Sequence, residues 1–404
     1  MDTVFKFISP NSSQIPLKMA LKTAHVTRVP NLDHVSDDLN HTNNVAAFNG
    51  YHNNHHDDDD TNAVFLKNPA EDFMVIGHRG TGMNLLQSPD PRMKSIKENS
   101  ILAFNTAGKF NLDFIEFDVQ VTKDDYPVIF HDVFIFTQDI KGVIIEKRVT
   151  DMTLDEFLSY GPQREPNKVG KPLFRKTKDG RIFEWKVEKD DHLCTLEEVF
   201  QKVNHSKGFN IEFKFDDNIA YKEEELAHVI QVVLRIIFKY AKNRAIFFSS
   251  FLPDAALLIR KLQSAYPVFF LTNGGVETYT DVRRNSLDEA MKLCLAGSLN
   301  GIVAEVRSIL RNPGVIKTIK DLKLSLISYG QLNNVCEVVD AQILMGVDGV
   351  IVDLVQEITE AVEDFGKEVK KESLVEEEND HEIKCSQKQL SNLMKVIGMK
   401  YIYS

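Results

Sequence analysis

The run Phe114-Ile-Glu116-Phe-Asp118-Val-Gln-Val-Thr-Lys-Asp-Asp-Tyr-Pro-Val-Ile-Phe-His131-Asp132 decides how this chain folds. In an extended segment successive side chains face opposite sides. Glu116 and Asp118 therefore share one face of a strand over 114–119, and Ile115, Phe117 and Val119 share the other. Two acids on one face of an otherwise apolar strand are costly unless a cation or hydrogen-bond partners meet them. The turn from Lys123 to Pro127 is too short for a parallel crossover, which takes about a dozen residues or more. The strand at 128–131 must return antiparallel, carrying His131 back toward the region the chain left.

Outward from this hairpin, short β-branched and aromatic runs alternate with longer helical patterns, as βα units around a parallel sheet do. Strands are expected at 74–78, 114–119, 209–213, 245–249, 267–271, 301–305, 325–329 and 349–353, with 128–131 as an excursion. Eight such strands favour an α/β architecture closed as a (β/α)8 TIM barrel over an open doubly wound sheet. The 404 residues then divide into a leader over 1–70, a catalytic barrel over 71–362 with an insertion at 133–208, and a charged tail over 363–404. The leader ends in the polar tract His52-Asn-Asn-His-His-Asp-Asp-Asp-Asp60, which cannot bury enough surface to order itself. Its first thirty positions set Lys6, Lys18, Lys22 and Arg28 against Asp2, which fits a transit peptide or an unprocessed cytosolic extension. In the tail, Ser386 is placed to cap a short amphipathic helix with Leu390, Leu393, Met394 and Ile397 on one stripe.

A net charge of -11 argues against a nucleic-acid partner. Cys194, Cys294, Cys336 and Cys385 are too widely spaced for a secreted disulfide framework, so an intracellular setting, plastid or cytoplasm, is expected. No run reaches the ~18 apolar residues of a membrane span, and no stable membrane insertion is expected. The insertion carries Lys168, Lys171, Arg175, Lys176, Lys178, Arg181 and Lys186, which suits either a lid that meets anions or a solvated subdomain.

Barrel enzymes place reactive groups at the C-terminal ends of different strands. Four segments meet that rule: His78-Arg79-Gly80, Glu116-x-Asp118, Glu212-x-Lys214, and His131-Asp132 on the returning strand. Three inward acids beside a lysine and an arginine are hard to explain as packing, because unpaired buried charge is expensive. Oxygen ligands of this kind favour one divalent cation, Mg²⁺ or Ca²⁺ first, with Mn²⁺ also admitted, over zinc. Such a cation, an arginine and two histidines suggest phosphoryl chemistry with a histidine acid/base pair.

The series His78-Arg79-Gly80, Glu98-Asn99-Ser100-x-x-Ala103-Phe104, Glu116-Phe-Asp118-Val-Gln-Val-Thr122, Pro127-Val-Ile-Phe-His131-Asp132 and Asn210-Ile-Glu212-Phe-Lys214 resembles the glycerophosphodiester phosphodiesterase family. The likeness spans about residues 73–360 and is greatest to the short single-domain plant members. These share Phe248-Ser-Ser-Phe-x-Pro253-Asp-Ala-Ala256, Phe270-Leu-Thr-Asn-Gly-Gly275 and Tyr329-Gly-x-Leu-Asn333-Asn334. It implies a barrel of the phospholipase C-like phosphodiesterase type. The implied reaction is hydrolysis of glycerophosphocholine, glycerophosphoethanolamine and similar diesters to sn-glycerol 3-phosphate and an alcohol. It also implies that His78 and His131 are the acid/base pair, that Glu116, Asp118 and Glu212 are metal ligands, and that Arg79 and Lys214 contact the substrate phosphate. Glu98, which begins the Glu98-Asn99-Ser100 motif, is expected either to reach the metal or, the favoured reading, only to brace the loop. Two other readings keep the fold: a phospholipase D-like enzyme acting on lipids, and a catalytically silent barrel that binds phosphodiesters or a protein. The residues do not specify the head group, the ion or the oligomeric state.

Overall fold

The computed structural model describes residue 70 and residues 72–376. Eight parallel strands close on themselves: β1 (Met74–Gly77), β2 (Phe114–Val121), β8 (Gly208–Phe213), β9 (Ile246–Ser250), β10 (Val268–Thr272), β11 (Gly301–Glu305), β12 (Ser325–Tyr329) and β13 (Gly349–Val352). Closure is made by β1, which pairs with β13 on one side and β2 on the other. The (β/α)8 barrel expected from the strand count is therefore the fold, with six of the eight strands shifted by a residue or two at one end or both. β2 runs on to Val121 because β3 (Pro127–Ile129) pairs with it antiparallel, Val119 opposite Ile129.

Side-chain alternation sorts the strands into an outer and an inner layer. Ile115, Phe117, Val119 and Val121 of β2 join the core between strands and helices, whereas Phe114 joins the small apolar cluster formed with Ile76, Phe247, Phe269, Val303, Ile327 and Ile351. Glu116 and Asp118 share the parity of Phe114, and His78 that of Ile76. Apolar side chains thus fill one end of the barrel, and the same rows become charged toward the C-terminal strand ends. The register sets Glu116 beside Asn210 and Asp118 beside Glu212.

Side-chain caps start several of the surrounding helices, each supplying an acceptor to an otherwise unpaired N–H. Ser100 caps Ile101–Ala107, Ser286 caps Leu287–Gly297, and Thr195 with Glu198 forms a full capping box on Leu196–Lys202.

The chain after His131 builds a second sheet, β4 (Phe134–Gln138), β5 (Ile144–Arg148), β6 (Phe174–Lys176) and β7 (Ile182–Glu184), antiparallel in the order β5-β4-β6-β7. It has its own apolar cluster around Phe130, Ile135, Met152, Phe157, Leu173 and Trp185. The last stretch of the insertion, helix Leu196–Lys202, already belongs to the barrel, since Leu196, Val199 and Phe200 pack into the outer core. At the other end, helix Val355–Glu376 crosses residue 362 without a break, with Phe365 buried against the barrel. Among the described residues no helix is long and apolar enough to cross a membrane. Apart from residue 70, the expected leader lies outside the described residues, as does the expected helix after Ser386.

Candidate active site

His78 follows β1, and its Nδ1 lies 2.7 Å from Asp353 Oδ1. Asp353 follows β13, the ladder neighbour of β1, so closure of the barrel is what brings these two residues together. The carboxylate is fixed in turn. Its Oδ1 accepts from the Met83 N–H at 2.9 Å and its Oδ2 from Asn334 Nδ2 at 3.0 Å, while Asn334 Oδ1 accepts from the Asp353 N–H at 2.7 Å. With Nδ1 engaged by an acid, Nε2 is the ring nitrogen left for a ligand.

Arg79 adopts the left-handed conformation, with φ of 49°, and donates its backbone N–H to Glu116 Oε2 at 2.8 Å. Its Nη1 donates to Glu98 Oε1 at 2.7 Å, and its Nε stands 3.4 Å from Asp118 Oδ2. Asn99 Nδ2 donates to that same Asp118 oxygen at 2.8 Å. Glu98 also accepts from the Asn84 N–H and from Arg175, and it stands outside the cluster formed by Glu116, Asp118 and Glu212.

Glu116, Asp118 and Glu212 are buried, and one oxygen from each lies within 4.8 Å of the others. Lys214 Nζ is 2.8 Å from Glu212 Oε1 and 3.7 Å from Asp118 Oδ1. Asp118 Oδ1 accepts no hydrogen bond although it is buried. Burial and the neighbouring Asp118 carboxylate push Glu116 up to about 8. Glu212 is also raised, by burial and by Asp118, against the pull of Lys214. Asp118 is held low against its burial by the charges of His131, whenever its ring is protonated, and of Arg79 and Lys214. An all-oxygen donor set, an orphan carboxylate oxygen and acids that resist ionising together fit a hard divalent cation held by these three residues.

His131 lies two residues beyond β3, short of the strand expected to 131, where Gln120 Nε2 donates to the carbonyls of Phe130 at 2.7 Å and Asp132 at 3.0 Å. Its Nδ1 is 2.7 Å from Asp132 Oδ1. The two histidines are thus built alike, each backed by an aspartate at Nδ1, yet their surroundings differ in charge. Burial disfavours the charged form of both. At His78 the adjacent Asp353 more than offsets burial, and the imidazole is held above its ordinary value. At His131 burial acts together with Arg79 and Lys214 and lowers it to about 4. Both remain reachable, with 23% and 32% of their side-chain surface exposed.

All seven residues singled out from the sequence, His78, Arg79, Glu116, Asp118, His131, Glu212 and Lys214, belong to this one network of contacts and charges. The sequence did not link Asp353 to His78, Asn99 to Asp118 or Arg175 to Asp132. The pair Asn333-Asn334 was visible in a motif and Asp353 as the end of the last expected strand, but nothing local linked them to His78.

A family model described as the glycerophosphoryl diester phosphodiesterase family matches residues 78–357. The chain is 66% identical over 290 residues to Glycerophosphodiester phosphodiesterase GDPD3 of Arabidopsis thaliana, covering 72% of this chain and 78% of that protein. It is 53% identical over 351 residues to Glycerophosphodiester phosphodiesterase GDPD1, chloroplastic, of the same plant, covering 86% and 91%. Among solved structures, a phosphodiesterase of Oleispira antarctica in complex with the product sn-glycerol-3-phosphate aligns with a TM-score of 0.50 at 18% identity, covering 73% of this chain and 99% of that one. A glycerophosphodiester phosphodiesterase of Parabacteroides distasonis aligns with a TM-score of 0.50 at 19% identity, covering 72% and 98%. At such identities these two likenesses speak for the fold alone.

Proposed function

The chain belongs to the glycerophosphoryl diester phosphodiesterase family, and on that premise we propose that it hydrolyses glycerophosphodiesters, glycerophosphocholine and glycerophosphoethanolamine among them, to sn-glycerol 3-phosphate and an alcohol. The observation that carries this reading is the pair of aspartate-backed histidines beside a buried three-carboxylate cluster. Glu116, Asp118 and Glu212 would hold Mg²⁺, Ca²⁺ or Mn²⁺. When bound, such an ion withdraws charge from a non-bridging phosphate oxygen. Arg79 and Lys214 add fixed positive charge on the same side and orient the phosphate.

The histidines divide the proton work by charge. His131, kept neutral by burial and by Arg79 and Lys214, accepts a proton at Nε2 from the nucleophile. His78, whose protonated form Asp353 favours, donates one from Nε2 to the departing alcohol oxygen. The nucleophile is the glycerol hydroxyl next to the phosphate, whose proximity gives it a high effective concentration. A new P–O bond closes a five-membered cyclic phosphate as the bond to the alcohol breaks. Water then opens the ring, with the two histidines exchanging roles, and sn-glycerol 3-phosphate leaves. Residues 71–362 supply every group in this scheme. The chloroplastic relative supports a plastid address, which a fluorescent fusion of residues 1–70 would test.

The experiment is a substrate panel: glycerophosphocholine, glycerophosphoethanolamine, a 2-deoxy analogue, and vesicles of phosphatidylcholine or sphingomyelin. Release of sn-glycerol 3-phosphate from the first two, with no turnover of the 2-deoxy analogue, is expected. Normal turnover of the analogue would overturn the internal attack. Turnover of vesicle lipid alone would replace the diester reading with a phospholipase D-like one.

A further inference from the structure

Arg175 lies on β6 of the insertion, and its guanidinium is buried at the barrel mouth. Nε and Nη2 donate to Asp132 Oδ2 and Oδ1 at 2.9 and 3.0 Å. Nη1 and Nη2 donate to Glu98 Oε2 and Oε1 at 2.9 and 2.8 Å, and Nη1 donates again to the Asn84 carbonyl at 3.0 Å. Every one of the five N–H groups a guanidinium carries is therefore used. The group also lies over the Trp185 ring at 4.1 Å, and Lys97 Nζ lies over the same ring at 3.6 Å. Trp185 Nε1 in turn donates to Asn84 Oδ1 at 3.0 Å.

An arginine that only stapled the insertion to the barrel would have no need to grip the partner of a site histidine by both oxygens. Here Asp132 has two oxygens to aim. Oδ1 meets His131 Nδ1 and Arg175 together, and Oδ2 meets Arg175 alone. A planar fork fixes the plane of a carboxylate, which the point charge of a lysine cannot do. Glu98 also accepts from Arg79 and from the Asn84 N–H, so Arg175 is not its sole partner, whereas Arg175 alone meets Asp132 Oδ2.

We propose that Arg175 is a positioning residue for the reaction: by holding both oxygens of Asp132 it fixes the ring orientation and tautomer of His131, so the site is complete only when the insertion sheet is docked. This rests on the diester hydrolysis proposed above.

The test is a double-mutant cycle on the full chain with glycerophosphocholine, pairing Arg175→Lys with Asp132→Asn. Arg175→Lys is expected to stay folded by its melting curve and by the emission of Trp185, the single tryptophan of the chain. Its kcat should fall by about 10²-fold with KM changed less than about threefold, the scale of a misplaced reacting group. Asp132→Asn should lower kcat by about 10²–10³-fold, since it presents the wrong partner to the ring nitrogen. The double variant should lie within about threefold of Asp132→Asn, because both changes release the same histidine. Guanidinium ion should restore part of the activity of Arg175→Met and none of that of Asp132→Asn. Wild-type kcat in Arg175→Lys, a loss confined to KM, losses that multiply in the double variant, or an unfolded Arg175→Lys would each overturn the positioning role. A wild-type protein that releases no sn-glycerol 3-phosphate would overturn the diesterase reading and this inference with it.

Discussion

Binding of a divalent cation should expel one proton from Glu116. Among the three clustered carboxylates this one is pushed up to about 8, by burial and by Asp118 first, so at neutral pH the empty cluster carries a proton there. A carboxyl pushed up that far is mostly protonated at pH 7, and a metal-bound carboxylate carries no proton. About one proton should therefore appear per ion bound near pH 6.5, falling toward zero above about pH 9. The apparent affinity should accordingly rise about tenfold per pH unit up to about pH 8 and then level off. Titration calorimetry in buffers of unequal ionisation enthalpy counts the proton directly. In Glu116→Gln the count should vanish at every pH, and the affinity should drop because one anionic ligand is gone. Saturable binding with no proton released at pH 6.5, or equal release from Glu116→Gln, would refute this account of the cluster.

Replacing Asp353 by asparagine removes the charge that outweighs burial at His78, so the raised imidazole falls. If His78 donates to the leaving alcohol as its protonated form, the alkaline limb of the kcat/KM profile moves to lower pH in Asp353→Asn, and an unmoved limb would reject that role. Glu98 and Asp132 are both held below their ordinary 4.5 and 3.8, because Arg175, joined by Arg79 at Glu98 and by His131 at Asp132, outweighs the burial that opposes it. Depressed acids stabilise the fold above their unfolded pKa and lose that contribution as pH falls through the folded one, so urea midpoints should decline below about pH 4.5 and decline less steeply in Arg175→Met. Gly82 sits at φ of 109° with its would-be Cβ 2.5 Å from the Asp353 carbonyl oxygen. Gly82→Ala should cost about 2–4 kcal/mol by thermal or chemical unfolding and weaken turnover through displacement of Asp353.

Much of the site could be read before the fold was seen because its determinants are local. Alternation along Phe114 to Val119 places Glu116 and Asp118 on one face, a turn too short for a crossover forces the hairpin to His131, and eight β-branched runs fill a barrel. What escaped is what the fold joins across distance. Asp353 reaches His78 over 275 residues because the barrel closes, and Arg175 reaches Asp132 over 43 residues and Glu98 over 77. In the sequence Arg175 is one of fourteen Lys and Arg residues in the insertion over 133–208. Its burial against Trp185 separates it from exposed neighbours such as Lys178, which ion-pairs with Glu277 at the surface. The turn to Lys and Glu after Val362 likewise hid a continuing helix, because Phe365 still faces the barrel while its polar neighbours do not.

The most direct measurement is release of sn-glycerol 3-phosphate from glycerophosphocholine by the purified chain, with Mg²⁺, Ca²⁺, Mn²⁺ or a chelator, beside folded His78→Ala and Glu116→Ala. The account predicts turnover that needs an added ion and falls by about 10²–10⁴-fold in His78→Ala, with the ion no longer effective in Glu116→Ala. Full turnover in chelator, or in either variant, would contradict it.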